Sequence, residues 1–199
     1  IYHKILKSSG KETAQKYLTA NKLAFEKYNK LCRNFDCDYE IKDNYVYSVN
    51  DKQKLEDEMN TLHKIGYKAK FCENVSIPVK TVGAVMFPNQ AQFNPLKFIS
   101  AISNRLNIYE NTFVREMEGN TAITDFGKIH ADKVVVTTHF PFINKHGSYF
   151  IKLYQHRSYV IALENAKNSD GMFVDENRKG MSFRTSNNML LLGGGGHRT

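Results

Sequence analysis

Residues 127–139 read GKIHADKVVVTTH, and the fold class turns on how that stretch is taken. Val134, Val135 and Val136 run unbroken and end on small polar groups, Thr137 and Thr138, followed by His139. A strand that is apolar on both faces is buried on both, which is the habit of parallel sheets covered by helices. In open α/β sheets the carboxyl ends of such strands open on the ligand crevice. That would set Thr137, Thr138 and His139 at its rim. Upstream, IYENTFVREME (108–118) breaks at Gly119-Asn120 and TAITDF (121–126) at Gly127-Lys128. Residues 107–138 therefore predict a three-stranded meander, with 133–138 its most buried strand. The rest of the chain supplies few parallel partners, so the neighbours of that strand are expected outside these 199 residues.

Working outward, residues 11–34 carry Ala14, Tyr17, Leu18, Phe25, Tyr28 and Cys32 at helical spacing. Ser9 and Glu12 form a capping box before them. YEIKDNYVYSV (39–49) alternates as a strand, NDKQKLEDEMNTLHKIG (50–66) reads as a capped helix closed by Gly66, and YKAKF (67–71) reads as a further strand. Asn94-Pro95 opens another helix, because proline fits the first turn. Its apolar positions Leu96, Ile99, Ile102 and Leu106 are expected to face the core. After residue 150 the pattern is again β: YQHRSYVIALE (154–164), GMFVD (171–175), GMSFRT (180–185) and MLLLG (189–193). The fold class that follows is α/β, with α+β character in this stretch.

Composition narrows the chemistry. The 199 residues are 41% hydrophobic and 24% charged, which is compatible with a packed core, and the net charge is +8. A basic balance favours anionic partners, though the lysines are dispersed and equally suit solvated helix faces. Three cysteines, Cys32, Cys37 and Cys72, without C-x-x-C spacing argue against a disulfide framework or zinc ribbon. A reducing, cytoplasmic setting is the expectation. No apolar run reaches the length of a membrane span. The seven histidines, His146 among them, show no metal-ligand spacing, and neither a nucleophile elbow nor a phosphate-binding glycine motif is present. Arg184, on a strand that precedes a turn and a second strand ending in Gly193–Gly196, suits a substrate carboxylate and would suit a structural ion pair equally.

Taken in order, YENTFVREMEGNTAITDFGKIHADKVVVTTH (109–139), FPNQAQFNPLKFISAI (87–102) and GMSFRTSNNMLLLGGGGHRT (180–199) resemble the FAD-dependent amine and amino-acid oxidoreductases akin to glycine oxidase, sarcosine oxidase and D-amino acid oxidase. The resemblance implies oxidation of a C–N bond with FAD as hydride acceptor, and an amine or amino-acid substrate. It implies that Val114, Thr138, His139 and Gly193, Gly194, Gly195 and Gly196 border the cofactor, the glycines as a flavin-approach loop. It also implies that Arg184 meets the substrate, with Tyr159 and Arg157, which share one face of their own strand, as further candidates for the same pocket. Residues 1–35, 80–140 and 193–199 would form a partial FAD-binding lobe, and 36–79 and 141–192 a substrate lobe. The family's G-x-G-x-x-G turn is not in the sequence. The chain is therefore expected to be an internal portion of such a protein, inactive by itself and unable to retain FAD. Two other readings stand beside this one: a non-catalytic binding module on the same fold, and a basic nucleic-acid-binding domain, for which no recognition motif is found.

Overall fold

The structure is a computed structural model and describes residues 1–140, 142 and 147–199. Residues 141 and 143–146 of the 141–192 segment, His146 among them, lie outside these. Helix α1 spans Tyr2–Cys32 and is interrupted at Gly10, which takes φ +82° and ψ 173°. Glycine adopts that conformation without a Cβ clash. The helix read over 11–34 is thus preceded by a further helical segment, and it buries Ala14, Leu18 and Cys32. Strand β1 (Glu40–Ser48) leads to α2 (Lys52–Lys64), whose N-cap Asp51 accepts a hydrogen bond from the Lys54 N–H at 3.0 Å. Gly66, at φ +85°, follows its end.

Strands β2 (Lys70–Cys72) and β3 (Gly83–Gln92) come next. The sequence reading assigns no strand to 83–92, where Pro88-Asn89 has the composition of a turn. The turn chemistry is real but local. The β1–β3 register shifts between Lys42 and Asn44, Asn89 takes φ +54°, and its N–H donates to Asp43 Oδ1 at 2.8 Å. A bulge of this kind absorbs a proline within a strand. Helix α3 (Pro95–Ser103) begins where Asn94-Pro95 predicts, with Asn94 Oδ1 accepting from the N–H groups of Leu96 and Lys97 at 3.1 and 3.2 Å. Its buried face differs from expectation. Phe98 is buried and Ile102 packs against the same cluster, whereas Leu96, Ile99 and, beyond the helix, Leu106 are exposed. Aromatic packing of Phe98 against Tyr28, Phe35 and Phe93 sets the helix's rotation.

The remaining elements are β4 (Val114–Glu118), β5 (Thr121–Thr124), β6 (Gly127–His130), the short α4 (Tyr149–Lys152), β7 (His156–Leu163), β8 (Met172–Asp175), β9 (Ser182–Ser186) and β10 (Met189–Arg198). The chain divides into two compact units, Ile1–Ile102 with Ser158–Gly196, and Ser103–Arg157 with His197–Thr199. The first is built on a seven-stranded mixed sheet in the order β2-β3-β1-β8-β9-β10-β7, in which β8 runs parallel to β1. Leu18, Leu55, Leu62 and Val85 join α1 and α2 to this sheet, and Tyr47, Ala84, Phe173, Phe183 and Leu190 form a second cluster on it.

The second unit holds the antiparallel meander β4-β5-β6, with turns where the glycines fall. Its third strand is corrected. Residues 133–138 form no strand, and Val134, Val135 and Val136 are exposed, Val135 to 79%. A segment apolar on both faces becomes a buried strand only when a neighbour pairs with it. Among the described residues none does.

Candidate functional site

The site is built by the hairpin of β9 and β10. Asn187 and Asn188 both take positive φ, +49° and +60°, the conformation of a two-residue hairpin turn whose twist matches the strands. That turn fixes the register: Ser186 pairs Met189, Thr185 pairs Leu190, Arg184 pairs Leu191 and Ser182 pairs Gly193. Side chains alternate across a sheet. Phe183 and Thr185 are therefore buried, while Arg184 between them is exposed on the opposite face. The alternation carries to β8, where Phe173 is buried and Val174 exposed. Burying Phe183 and Leu190 thus directs Arg184 outward, together with Leu191.

Around Arg184 lies a cleft of about 260 Å³, lined among others by Asn44, Met172, Val174, Leu191, Val160 and Gly193. Arg184 is the one charged group among its described lining residues. Gly193 sits directly in it. A Cβ there would come within 2.6 Å of Ser182 Oγ. The four glycines are corrected from a loop to a strand, since β10 continues through Gly193–Gly196 to Arg198. Their conformation is not uniform: Gly195 takes φ +64°, and a Cβ on it would touch the Tyr159 ring at 3.5 Å. A stretch of strand without side chains is what a flat ring can approach closely. In that respect these residues fit a flavin. The described residues include no glycine-rich turn for a pyrophosphate, so the fit extends to the ring's vicinity alone.

The other expected site residues are distributed as follows. Tyr159 and Arg157 lie two positions apart on β7, the strand next to β10, and both are exposed. Arg184 and Gly193 line one cleft, whereas the Tyr159 ring lies against Gly195 and is not among the described lining residues of that cleft. Val114 opens β4 in the second unit. Thr138 and His139 lie there too, in the segment that forms no strand. His139 has φ +64°, and the Thr138 hydroxyl donates to the Phe140 carbonyl at 3.1 Å.

Sequence reading did not pick out Leu191, Met172, Val160 and Asn44. Leu191 could have been found by counting outward from Asn187-Asn188 to the residue opposite Arg184. Asn44 and Met172 meet only through the parallel β1–β8 pairing, which no local pattern signals. A larger polar cleft of about 800 Å³ lies elsewhere in the same unit, with Lys42, Asp43, Asn89, Asp170 and Thr185 in its lining. There Lys42 Nζ lies 2.9 Å from Glu40 Oε2 and holds the Glu40 carboxyl below its usual range.

Residues 3–199 match the DAO family, described as FAD dependent oxidoreductases. The chain belongs to this family. The curated Bacillus subtilis protein YhfW, which carries the name Rieske 2Fe-2S iron-sulfur protein, is 26% identical over the whole of this chain, which spans 43% of YhfW. Glycine oxidase from Geobacillus kaustophilus superposes with a TM-score of 0.65 at 14% identity, over 92% of this chain and 55% of the oxidase. L-proline dehydrogenase from P. horikoshii gives 0.67 at 15% identity, over 86% of this chain and 53% of the dehydrogenase. The family fold is therefore common to both structures, and the chain spans about half the length of these relatives. The α/β class expected from the sequence agrees with this likeness. No helix among the described residues is long and apolar enough to cross a membrane.

Proposed function

We propose that the intact protein oxidises a C–N bond of an amine or amino acid, with Arg184 anchoring the substrate carboxylate on the exposed side of β9. FAD, when bound, supplies the hydride acceptor. The residues named here bind and orient. Arg184 presents a planar fork to a carboxylate, and two parallel N–H···O bonds fix both position and direction. Gly193–Gly196 leave the adjoining strand free of side chains, so a ring can lie close to a substrate held at Arg184. Tyr159 and Arg157 are further substrate contacts from β7 in this reading, and Val114, Thr138 and His139 border the cofactor. The division into a flavin lobe (1–35, 80–140, 193–199) and a substrate lobe (36–79, 141–192) belongs to this proposal, with β3 and β1 pairing across its boundary.

The observation that carries the reading is the arginine itself, the one charged group among the described lining residues of a cleft beside a glycine run. Arg184→Lys in the intact enzyme should raise KM and lower kcat/KM for amino acids by roughly 1.5–3 kcal/mol of charge-assisted hydrogen bonding, because lysine lacks the fork. Unchanged kinetics in a folded variant would remove Arg184 from the site. A flavin absorbance band in the purified intact protein distinguishes the enzyme from a non-catalytic module or a nucleic-acid-binding domain. The name of YhfW supports a second reading of the electron acceptor, an iron–sulfur centre elsewhere in the intact protein. An EPR signal that appears on anaerobic addition of substrate tests it.

A further inference from the structure

We propose that Lys42 and Gln92 are positioning residues for Arg184, acting on it through the backbone of β9. This rests on the reading of Arg184 as the carboxylate anchor. The ladder between β8 and β9 pairs Val174 with Ser182 and Phe173 with Phe183. Arg184 and Thr185 come next along β9. Among the described residues their strand partners are on the β10 side alone, Leu191 and Leu190. Side chains take the place of the missing strand. Lys42 Nζ donates to the Thr185 carbonyl at 3.2 Å and lies 2.9 Å from Glu40 Oε2. Gln92 Nε2 donates to the same two oxygens, at 2.8 Å to the carbonyl and 2.9 Å to the carboxylate. Two donors and two acceptors thus close a ring that ties β9 to β1 and β3. Gln92 Oε1 has no partner among the described residues, so the amide serves the ring through its nitrogen. Gln92 and Thr185 are buried, where a hydrogen bond is stronger than in water, and Lys42 contributes a charge-assisted one. One peptide bond joins Thr185 to Arg184. Fixing the Thr185 carbonyl therefore fixes the direction in which the Arg184 side chain leaves the strand. A binding group held even an ångström too loosely by its supporting residues loses much of its effect.

The test measures acetate dissociation constants on the intact protein by isothermal titration, with circular dichroism to establish that each variant is folded. Arg184→Gln should weaken acetate about tenfold or more. Lys42→Met and Gln92→Leu remove the donor and keep most of the bulk, and each should weaken acetate about threefold or more. Lys42 is partly exposed, so its variant carries the test if Gln92→Leu does not fold. Added to Arg184→Gln, either substitution should change the constant by less than about twofold, because no fork is left to aim. Lys42→Arg restores a cationic donor and should bind acetate within about twofold of the unaltered protein. If Arg184→Gln alone leaves acetate binding unchanged, the carboxylate-anchor reading fails and the positioning role with it. If Arg184→Gln weakens acetate while the folded Lys42→Met protein does not, the anchor stands and the positioning role is overturned. Equal weakening by Lys42→Met with and without the arginine also overturns it, since the effect then bypasses Arg184. So does a folded Lys42→Arg protein that binds as weakly as Lys42→Met.

Discussion

Thr185, next to Arg184, is held from three directions. Its carbonyl accepts from Lys42 Nζ at 3.2 Å and Gln92 Nε2 at 2.8 Å, and its hydroxyl accepts from the Ser169 N–H at 2.8 Å. Thr185, Gln92 and Ser169 are all buried. Thr185→Val would leave the Ser169 N–H without its acceptor, at a cost of about 1–3 kcal/mol. Urea denaturation should show that loss, and Thr185→Ser should restore most of it. A loss of the same size in the serine variant would place the effect in packing. The cysteines give a second prediction at this scale. Burial pushes the Cys32 thiol up to about 11, helped by its hydrogen bond to Cys37 and by that neighbour's charge. Only the thiolate is nucleophilic. At pH 8 a thiol reagent should therefore label the half-buried Cys72 first, with Cys32 and Cys37 reacting only on unfolding. Three equal rates in the folded protein would contradict the cluster that Cys32 and Cys37 share with Phe98.

Helix ends were legible because their chemistry is local. Asn94 caps α3 as Asn94-Pro95 predicts, and Asn94→Ala should cost about 1 kcal/mol in thermal or urea unfolding. Asp51 caps α2, and its carboxyl lies below the ordinary value of 3.8 because the Lys54 N–H bonds to it, with the Lys54 side chain adding to the effect. A carboxyl depressed in the folded state contributes stability fully above its unfolded value, and loses it as pH falls through the folded one. Asp51→Asn keeps a capping oxygen that does not titrate. Any melting-temperature advantage of the aspartate at pH 6 should therefore shrink below about pH 3.8. A constant gap across that range would show that the cap's charge is irrelevant. Helix rotation was less legible. Leu96 and Ile99 have the spacing of a core face, yet Leu96 is 77% exposed, because Phe98 finds aromatic partners from α1 and from Phe93. The same limit governed the glycine run. Its composition suggested a loop, while β10 runs on through it, paired with β9 as far as Gly193.

For the whole molecule, the family and the mixed α/β class were readable from motif order, whereas Val134–Val136 misled on burial. Their pattern describes a strand with neighbours on both sides, and no described strand pairs there. The cofactor expectation belongs to this scale as well. A nanomolar flavin site needs about 12 kcal/mol. The helix N-terminus and glycine turn that usually hold the phosphates are not found in this sequence. The 199-residue chain, incubated with excess FAD and desalted, should show no flavin band. A band near one equivalent would mean that the residues described here bind far more of the dinucleotide than the glycine strip suggests. The parallel pairing of β1 with β8 has a consequence in time. Asn44 meets Met172, about 130 residues later in the chain. A ribosome adding ~5–20 residues per second needs on the order of ten seconds to supply that partner. Throughout the wait β1 can pair with β3 on one side only, its other edge open to whatever strand the cell presents first.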